Sequence, residues 1–169
     1  ILANDRNTNR VAALAANCYR TGCVNVQTVK QDGRDLSPGE RFDRVLVDVP
    51  CSAEGNARTQ EELRDGASMH DIESVSRLQE QLLDAAVDYC REGGTVVYST
   101  CTFAPEENEQ VVETVLDRVD VEPLSFDFPH TGGVTEWNGE TLPAQLENCV
   151  RVYPHQLDSG GIFVARLAK

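Results

Sequence analysis

The chain has 169 residues, 40% of them hydrophobic, which suits one domain of ordinary size able to bury a core in water. Its 28 acidic residues against 15 basic ones give a formal charge of -13 and a pI of about 4.5. That balance excludes a general basic surface for polyanions and makes RNA, on charge alone, an unexpected partner.

Residues 1–5, Ile-Leu-Ala-Asn-Asp, read as the end of a strand. Residues 8–20 carry Val11, Leu14 and Ala15 at helical spacing before Gly22 stops them. Residues 24–29 predict a short strand, followed by a polar turn over 31–35. Residues 44–50 are an apolar run of the kind buried on both faces of a parallel sheet. After a polar loop over 53–70, Asp71 is expected to cap a long helix with apolar face Ile72, Val75, Leu78, Leu82, Ala86 and Tyr89, ended by Gly93-Gly94. A second buried strand spans 95–101. Pro105, Glu106 and Glu107 start another helix, with Val111, Val112, Val115, Leu116 and Val119 facing the core. From Val121 to Pro143 the pattern loosens, and closing strands over 150–153 and 162–167 predict a terminal hairpin. Alternating strands and helices, with no repeat or linker, predict a doubly wound α/β sheet with an antiparallel edge.

No apolar run approaches a membrane span and residues 1–10 lack the order of a signal peptide, so the chain is read as cytoplasmic, with no membrane partner. Six cysteines (Cys18, Cys23, Cys51, Cys90, Cys101, Cys149) in a chain with a good core are expected to stay reduced. None forms a CxxC pair and the three histidines are scattered, so no metal site is expected. The 13 arginines outnumber the two lysines, Lys30 and Lys169. Excess acid with so little lysine suits a halophilic protein, kept soluble where salt shortens screening to a few ångströms, with an ordinary acidic cytosolic protein as the alternative.

In open α/β sheets ligands bind beyond the carboxyl ends of strands, where this sequence places Asp5, Asp32, Asp48 with Cys51, and Cys101. An acid there pairs with ribose hydroxyls; taken singly, each is also an ordinary turn or cap residue. Cys51 follows Pro50 after one buried strand, and Cys101 ends another just before a helix start that favours a thiolate. Cys18 and Cys90 read as mid-element structural thiols. Two cysteines in equivalent topological places point to covalent chemistry.

Asp48-Val-Pro-Cys-Ser-Ala-Glu-Gly55 resembles the Asp-x-Pro-Cys-Ser-x-x-Gly signature of the NOL1/NOP2/Sun family of RNA cytosine-C5 methyltransferases. Residues 98–109, Tyr-Ser-Thr-Cys-Thr-Phe-Ala-Pro-Glu-Glu-Asn-Glu, resemble its Thr-Cys-Ser-x-x-x-x-Glu-Asn-Glu signature. Further matches run from Asn4-Asp5 through Asp32-Gly33-Arg34 and Leu78-Gln-x-x-Leu-Leu83 to Arg151-Val-Tyr-Pro-His155 and Gly161-Ile-Phe-Val-Ala165, covering nearly the whole chain. The resemblance implies a Rossmann-like class I methyltransferase using S-adenosyl-L-methionine on a cytosine of rRNA or tRNA. Cys101 is then the nucleophile that adds to C6, and Asp48 bonds the base near N3 and its amine and meets the cofactor's amino group. Cys51 assists breakdown of the adduct, Asp5 binds the cofactor ribose, and Asp32 with the Gly33 backbone binds the adenine. Arg151, Tyr153 and His155 fall in the closing motif and either shape the target-base pocket or pack as an ordinary strand end.

The family's Asp-x-Cys-Ala-Ala-Pro-Gly-Gly-Lys loop, which holds the methionine part of the cofactor, has no counterpart here. The resemblance therefore implies that residues 1–169 are the carboxyl-terminal part of a catalytic domain, with the first strand and glycine-rich loop missing and activity of this part alone in question. Val49 stands where alanine is commoner and is expected to face the core. Two other classes stay open on the residues: a non-catalytic RNA-binding or assembly module that keeps the fold, and a thiol redox protein using Cys51 and Cys101.

Overall fold

A computed structural model of the chain describes residues 1–37, 39, 41–63 and 66–169, in two units, Ile1–Gly39 and Glu40–Lys169. In the first unit, β1 (Leu2–Asn4) and β2 (Gln27–Val29) pair in parallel and are joined through α1 (Thr8–Thr21). Asn7 caps α1 by accepting the Asn9 and Arg10 N–H groups, and Gly22 closes it at φ 71, a left-handed conformation that glycine adopts without strain. Val11, Leu14 and Cys18 are half-buried along one stripe, while Ala15 is exposed. β2 is shorter than the expected 24–29, because the C-cap hydrogen bond from Cys23 to the Cys18 carbonyl holds the preceding chain and Val24 is exposed.

In the second unit, β3 (Phe42–Asp48), α2 (Met69–Tyr89) and β4 (Cys90–Thr100) form a parallel crossover unit. There follow α3 (Glu109–Glu113), β5 (Asp120–Glu122), β6 (Thr131–Gly132), β7 (Glu136–Trp137), β8 (Glu140–Thr141), β9 (Val150–Val152) and β10 (Ile162–Ala168). The main sheet runs β3-β4-β10-β9-β6, with β5 also paired to β10. The closing hairpin forms as predicted, but it does not sit at the edge: β10 lies inside the sheet, antiparallel to β4 on one side and to β9 and β5 on the other. Its alternating Phe163, Ala165 and Leu167 join Leu83 and Val87 of α2 and Tyr98 of β4 in the core.

Several boundaries differ from the sequence reading, each for a local reason. The β3 run is not buried on both faces: Val45 and Val47 pack on the core, while Leu46, which points to the opposite face, is 72% exposed. Val49 does face the core, as expected. The cap of α2 is Ser68 rather than Asp71; the Ser68 hydroxyl accepts the Asp71 N–H and donates to its carboxylate, so Asp71 holds the capping hydroxyl in place. The helix ends at Tyr89 when Cys90 turns extended to pair with Phe42. Gly93 and Gly94 instead occupy the irregularity where the register jumps to Arg44 and Thr95; a Cβ on Gly94 would stand 2.5 Å from Cys90 Sγ. The buried face of α2 is rotated to Ile72, Gln79, Leu83, Ala86 and Val87, leaving Leu78, Leu82 and Tyr89 at its margin. Asn108, at φ -114 and ψ -94, splits the expected third helix into a 3-10 turn (Pro105–Glu107) and α3, although Val111, Val112, Val115 and Val119 are buried as read. Within the loose stretch, Asn138-Gly139, both at positive φ, makes the β7–β8 hairpin turn. The loop read over 53–70 includes residues 64 and 65, which lie outside the described residues. Among the described residues no helix is long and apolar enough to cross a membrane.

Candidate active site

The parallel register of β3 and β4 sets Asp48 opposite Ser99, whose hydroxyl donates to Asp48 Oδ1 at 3.0 Å. Three residues beyond Asp48 is Cys51, and two beyond Ser99 is Cys101, so both thiols emerge at the same sheet edge with their sulfurs 3.2 Å apart. The Cys101 backbone N–H donates to Cys51 Sγ at 3.3 Å. Burial, reinforced by the hydrogen bond to Cys101, pushes the Cys51 thiol from 9.0 up to about 12. Either sulfur can be the donor in this contact. Cys90 and Cys149 are buried away from this pair, each with its thiol pushed up by burial, as inert structural cysteines are.

A buried polar frame holds both loops. The Glu107 carboxylate accepts the Ser52 N–H at 3.0 Å and the Gln79 Nε2–H at 2.8 Å; Gln79 also donates to the Pro50 carbonyl at 2.8 Å. Tyr98 donates its hydroxyl to the Glu107 carbonyl at 2.6 Å. On the other side Ser52 and Thr102 share a 2.6 Å hydroxyl contact, and Asn108 bonds the Thr100 hydroxyl and the Thr102 carbonyl. Arg151 forms a two-pronged buried ion pair with Glu109 and donates to the Phe103 carbonyl at 2.9 Å. Tyr153 stacks on Phe103 and on His155, with centroids 5.4 and 5.5 Å apart. Arg151, assigned by resemblance to the base pocket, is thus committed to the frame.

Of the sequence-assigned site, the second unit brings together Asp48, Cys51 and Cys101; Asp5 and Asp32 belong to the first. They sit past the carboxyl ends of β1 and β2, which the Asn4 side chain ties together by bonding both the N–H and the carbonyl of Gln31. Asp5 Oδ1 accepts the Asn7 N–H at 2.7 Å, and its Oδ2 makes a long 3.5 Å contact with Arg10. Asp32 caps the 3-10 turn Gly33–Asp35, and the Arg34 guanidinium bonded to it holds its carboxyl far below the usual carboxylate range.

In the sequence Gln79, Glu107, Asn108 and Glu109 stood only as motif or helix-start residues with no partner assigned, and all four are fully buried. Gln79 had a signal: it stands in the Ile72, Leu83, Ala86 stripe, where a polar residue needs a buried partner. Glu109 and Arg151 each stood in a quoted motif, but nothing in the sequence pairs them across 42 positions.

The family model described as 16S rRNA methyltransferase RsmB/F matches residues 1–168. The chain belongs to this family. Among RsmB/F relatives, it is 40% identical to ribosomal RNA small subunit methyltransferase F of Erwinia tasmaniensis, over all of this chain and 35% of that protein. It is 34% identical to tRNA (cytosine(49)-C(5))-methyltransferase of Pyrococcus abyssi, over all of this chain and 55% of that one. A solved methyltransferase homologue from Pyrococcus horikoshii superposes with a TM-score of 0.87 at 31% identity, covering the whole chain and 53% of its own. The chain thus has the α/β methyltransferase fold and spans about a third to a half of these proteins.

Proposed function

We propose that residues 1–169 form part of the catalytic domain of an S-adenosylmethionine-dependent RNA cytosine-C5 methyltransferase acting on ribosomal or transfer RNA. The observation that carries this reading is the 3.2 Å approach of Cys51 and Cys101 beyond adjacent parallel strands, with Asp48 on the same edge. A module that only binds RNA has no use for two thiols brought together across 50 positions. The family and the rRNA and tRNA relatives support the substrate class.

In this reading the target cytosine leaves its stack to reach the site. The Cys101 thiolate adds to C6, forming a carbon–sulfur bond and making C5 nucleophilic. Asp48 accepts from the base amine and from the proton that N3 takes up from solvent as electrons move into the ring and returns when the adduct breaks down, and it also meets the cofactor's amino group. S-adenosylmethionine, when bound, supplies the methyl group that C5 takes. Loss of the C5 proton to water then restores the ring and expels Cys101 as a thiolate. Cys51, protonated up to about pH 12, donates its S–H to the leaving sulfur, which supports its assignment to adduct breakdown. Asp5 and Asp32 fit the cofactor's nucleoside: Asp5 Oδ2, with its long Arg10 contact, can accept a ribose hydroxyl, and the Asp32-Gly33 turn can meet the adenine.

The test uses the full-length parent protein, the cofactor and RNA carrying 5-fluorocytidine, which traps the adduct. A covalent complex is expected in the native protein and in Cys51→Ala, and none in Cys101→Ala. An adduct that persists in Cys101→Ala overturns the role of Cys101, and RNA binding without any adduct favours the non-catalytic module. Bisulfite sequencing of total RNA with and without the parent gene identifies the cytosine.

A further inference from the structure

We propose that Asn56 is a positioning residue for the Cys101 thiol, a role that rests on Cys101 being the nucleophile. Asn56 Nδ2 lies 3.5 Å from Cys101 Sγ and donates to it. The Cys51 sulfur lies 3.2 Å from the same atom, so a Cys101 thiolate would meet both the amide and the Cys51 thiol.

The backbone builds this placement. Ala53 takes a left-handed conformation, φ 60 and ψ 23, which starts the 3-10 turn Glu54–Asn56. The Gly55 N–H then donates to the Cys101 carbonyl at 2.9 Å, and the Gly55 carbonyl accepts the Gly161 N–H at 2.9 Å. A Cβ at Gly55 would stand 2.8 Å from the Cys101 carbonyl oxygen and 2.5 Å from that of Gly161, so a residue with a side chain could not sit this close. One residue earlier, the Glu54 carboxylate accepts the Thr102 hydroxyl at 3.1 Å and the Phe103 N–H at 3.3 Å. Asn56 is itself anchored, its N–H donating to the Ala53 carbonyl at 2.9 Å and its carbonyl accepting the Thr59 and Gln60 N–H groups. With residues 54 and 55 bonded to the chain around Cys101, the side chain of residue 56 is held beside the sulfur.

A thiolate offers acceptor positions only, and the charged groups of this frame are mostly acidic. Asp48, Glu54 and Glu107 stand around the two cysteine loops, while Arg151 is paired with Glu109. A neutral amide donor stabilises the thiolate without binding it as tightly as a cation would, so the sulfur stays free to add to carbon and to be accepted again when it leaves.

The test measures the pH profile of Cys101 alkylation by iodoacetamide in the full-length parent protein, read by mass spectrometry of the Cys101 peptide. Asn56→Ala is expected to move the profile to higher pH and slow alkylation at neutral pH about threefold to tenfold, as loss of one hydrogen bond to a charged group does. Asn56→Asp keeps the shape but replaces the donor with a carboxylate, and is expected to slow alkylation further. Unchanged profiles in both variants overturn the proposal. A shift in Asn56→Ala with a native profile in Asn56→Asp also overturns it, because a merely structural role tolerates the isostere. The fluorocytidine adduct reads the underlying function separately: if it persists in Cys101→Ala, the nucleophile assignment fails whatever the alkylation profiles show.

Discussion

Arg151 and Glu109 are the most consequential charges in the molecule because both side chains are withdrawn from water and each is the other's compensation. Arg151→Met strands the Glu109 carboxylate, with an expected loss of about 3–5 kcal/mol in urea unfolding, as for other broken buried pairs. Adding Glu109→Leu is expected to recover a large part of that loss, and a double variant no more stable than the single one would refute the account. The thiols set the alkaline limit. Cys51 and Cys149 hold their protons in the fold where unfolded thiols, near 9.0, have already ionised. Their contribution is therefore complete below pH 9.0 and is lost as pH climbs through the folded value, about 12 for Cys51. The urea midpoint is expected to fall between about pH 8 and about pH 10.5, and to fall less in a Cys149→Val variant compared with itself across the same range.

At the scale of elements, the ends of α2 and the close approach of the Glu54–Asn56 turn are decided by single residues. Ser68→Ala removes the hydroxyl that accepts the Asp71 N–H, at an expected cost of about 1 kcal/mol measured by thermal unfolding. Asp71→Asn is expected to cost less, since the cap itself survives. Gly55→Ala forces a Cβ against two carbonyl oxygens and should lower adduct yield as well as stability, because the displaced turn is bonded directly to Cys101. The sequence showed that a long helix lies between two strands, but it pointed to Asp71 and Gly93-Gly94 as the helix limits. Both are plausible by residue type. The serine won because its hydroxyl reaches the first-turn N–H, and the glycines were claimed by the pairing of β4 with β3, which helical periodicity does not register.

For the whole molecule, the charge of -13 means self-repulsion that salt relieves. The thermal midpoint is expected to rise between about 0.1 M and about 2 M potassium chloride, over which the screening length shrinks from about 10 Å to under 3 Å. A flat or falling midpoint would remove the halophilic reading of the composition. At high salt, RNA affinity would rest on stacking and the base pocket rather than on counterion release, which reconciles an acidic chain with the RNA substrate proposed for it. The alternation of strand and helix, the acids and cysteines at strand ends and the acidic surface were all determined by the sequence itself, since each is a property of one segment or of the total. The 3.2 Å meeting of Cys51 with Cys101, the Asn56 contact, the Gln79–Glu107 and Arg151–Glu109 pairings and the insertion of β10 beside β4 were decided only by the tertiary structure. Periodicity reports which face of an element is buried. It carries no information about which distant residue completes a buried polar group, because that partner is chosen by strand order and register.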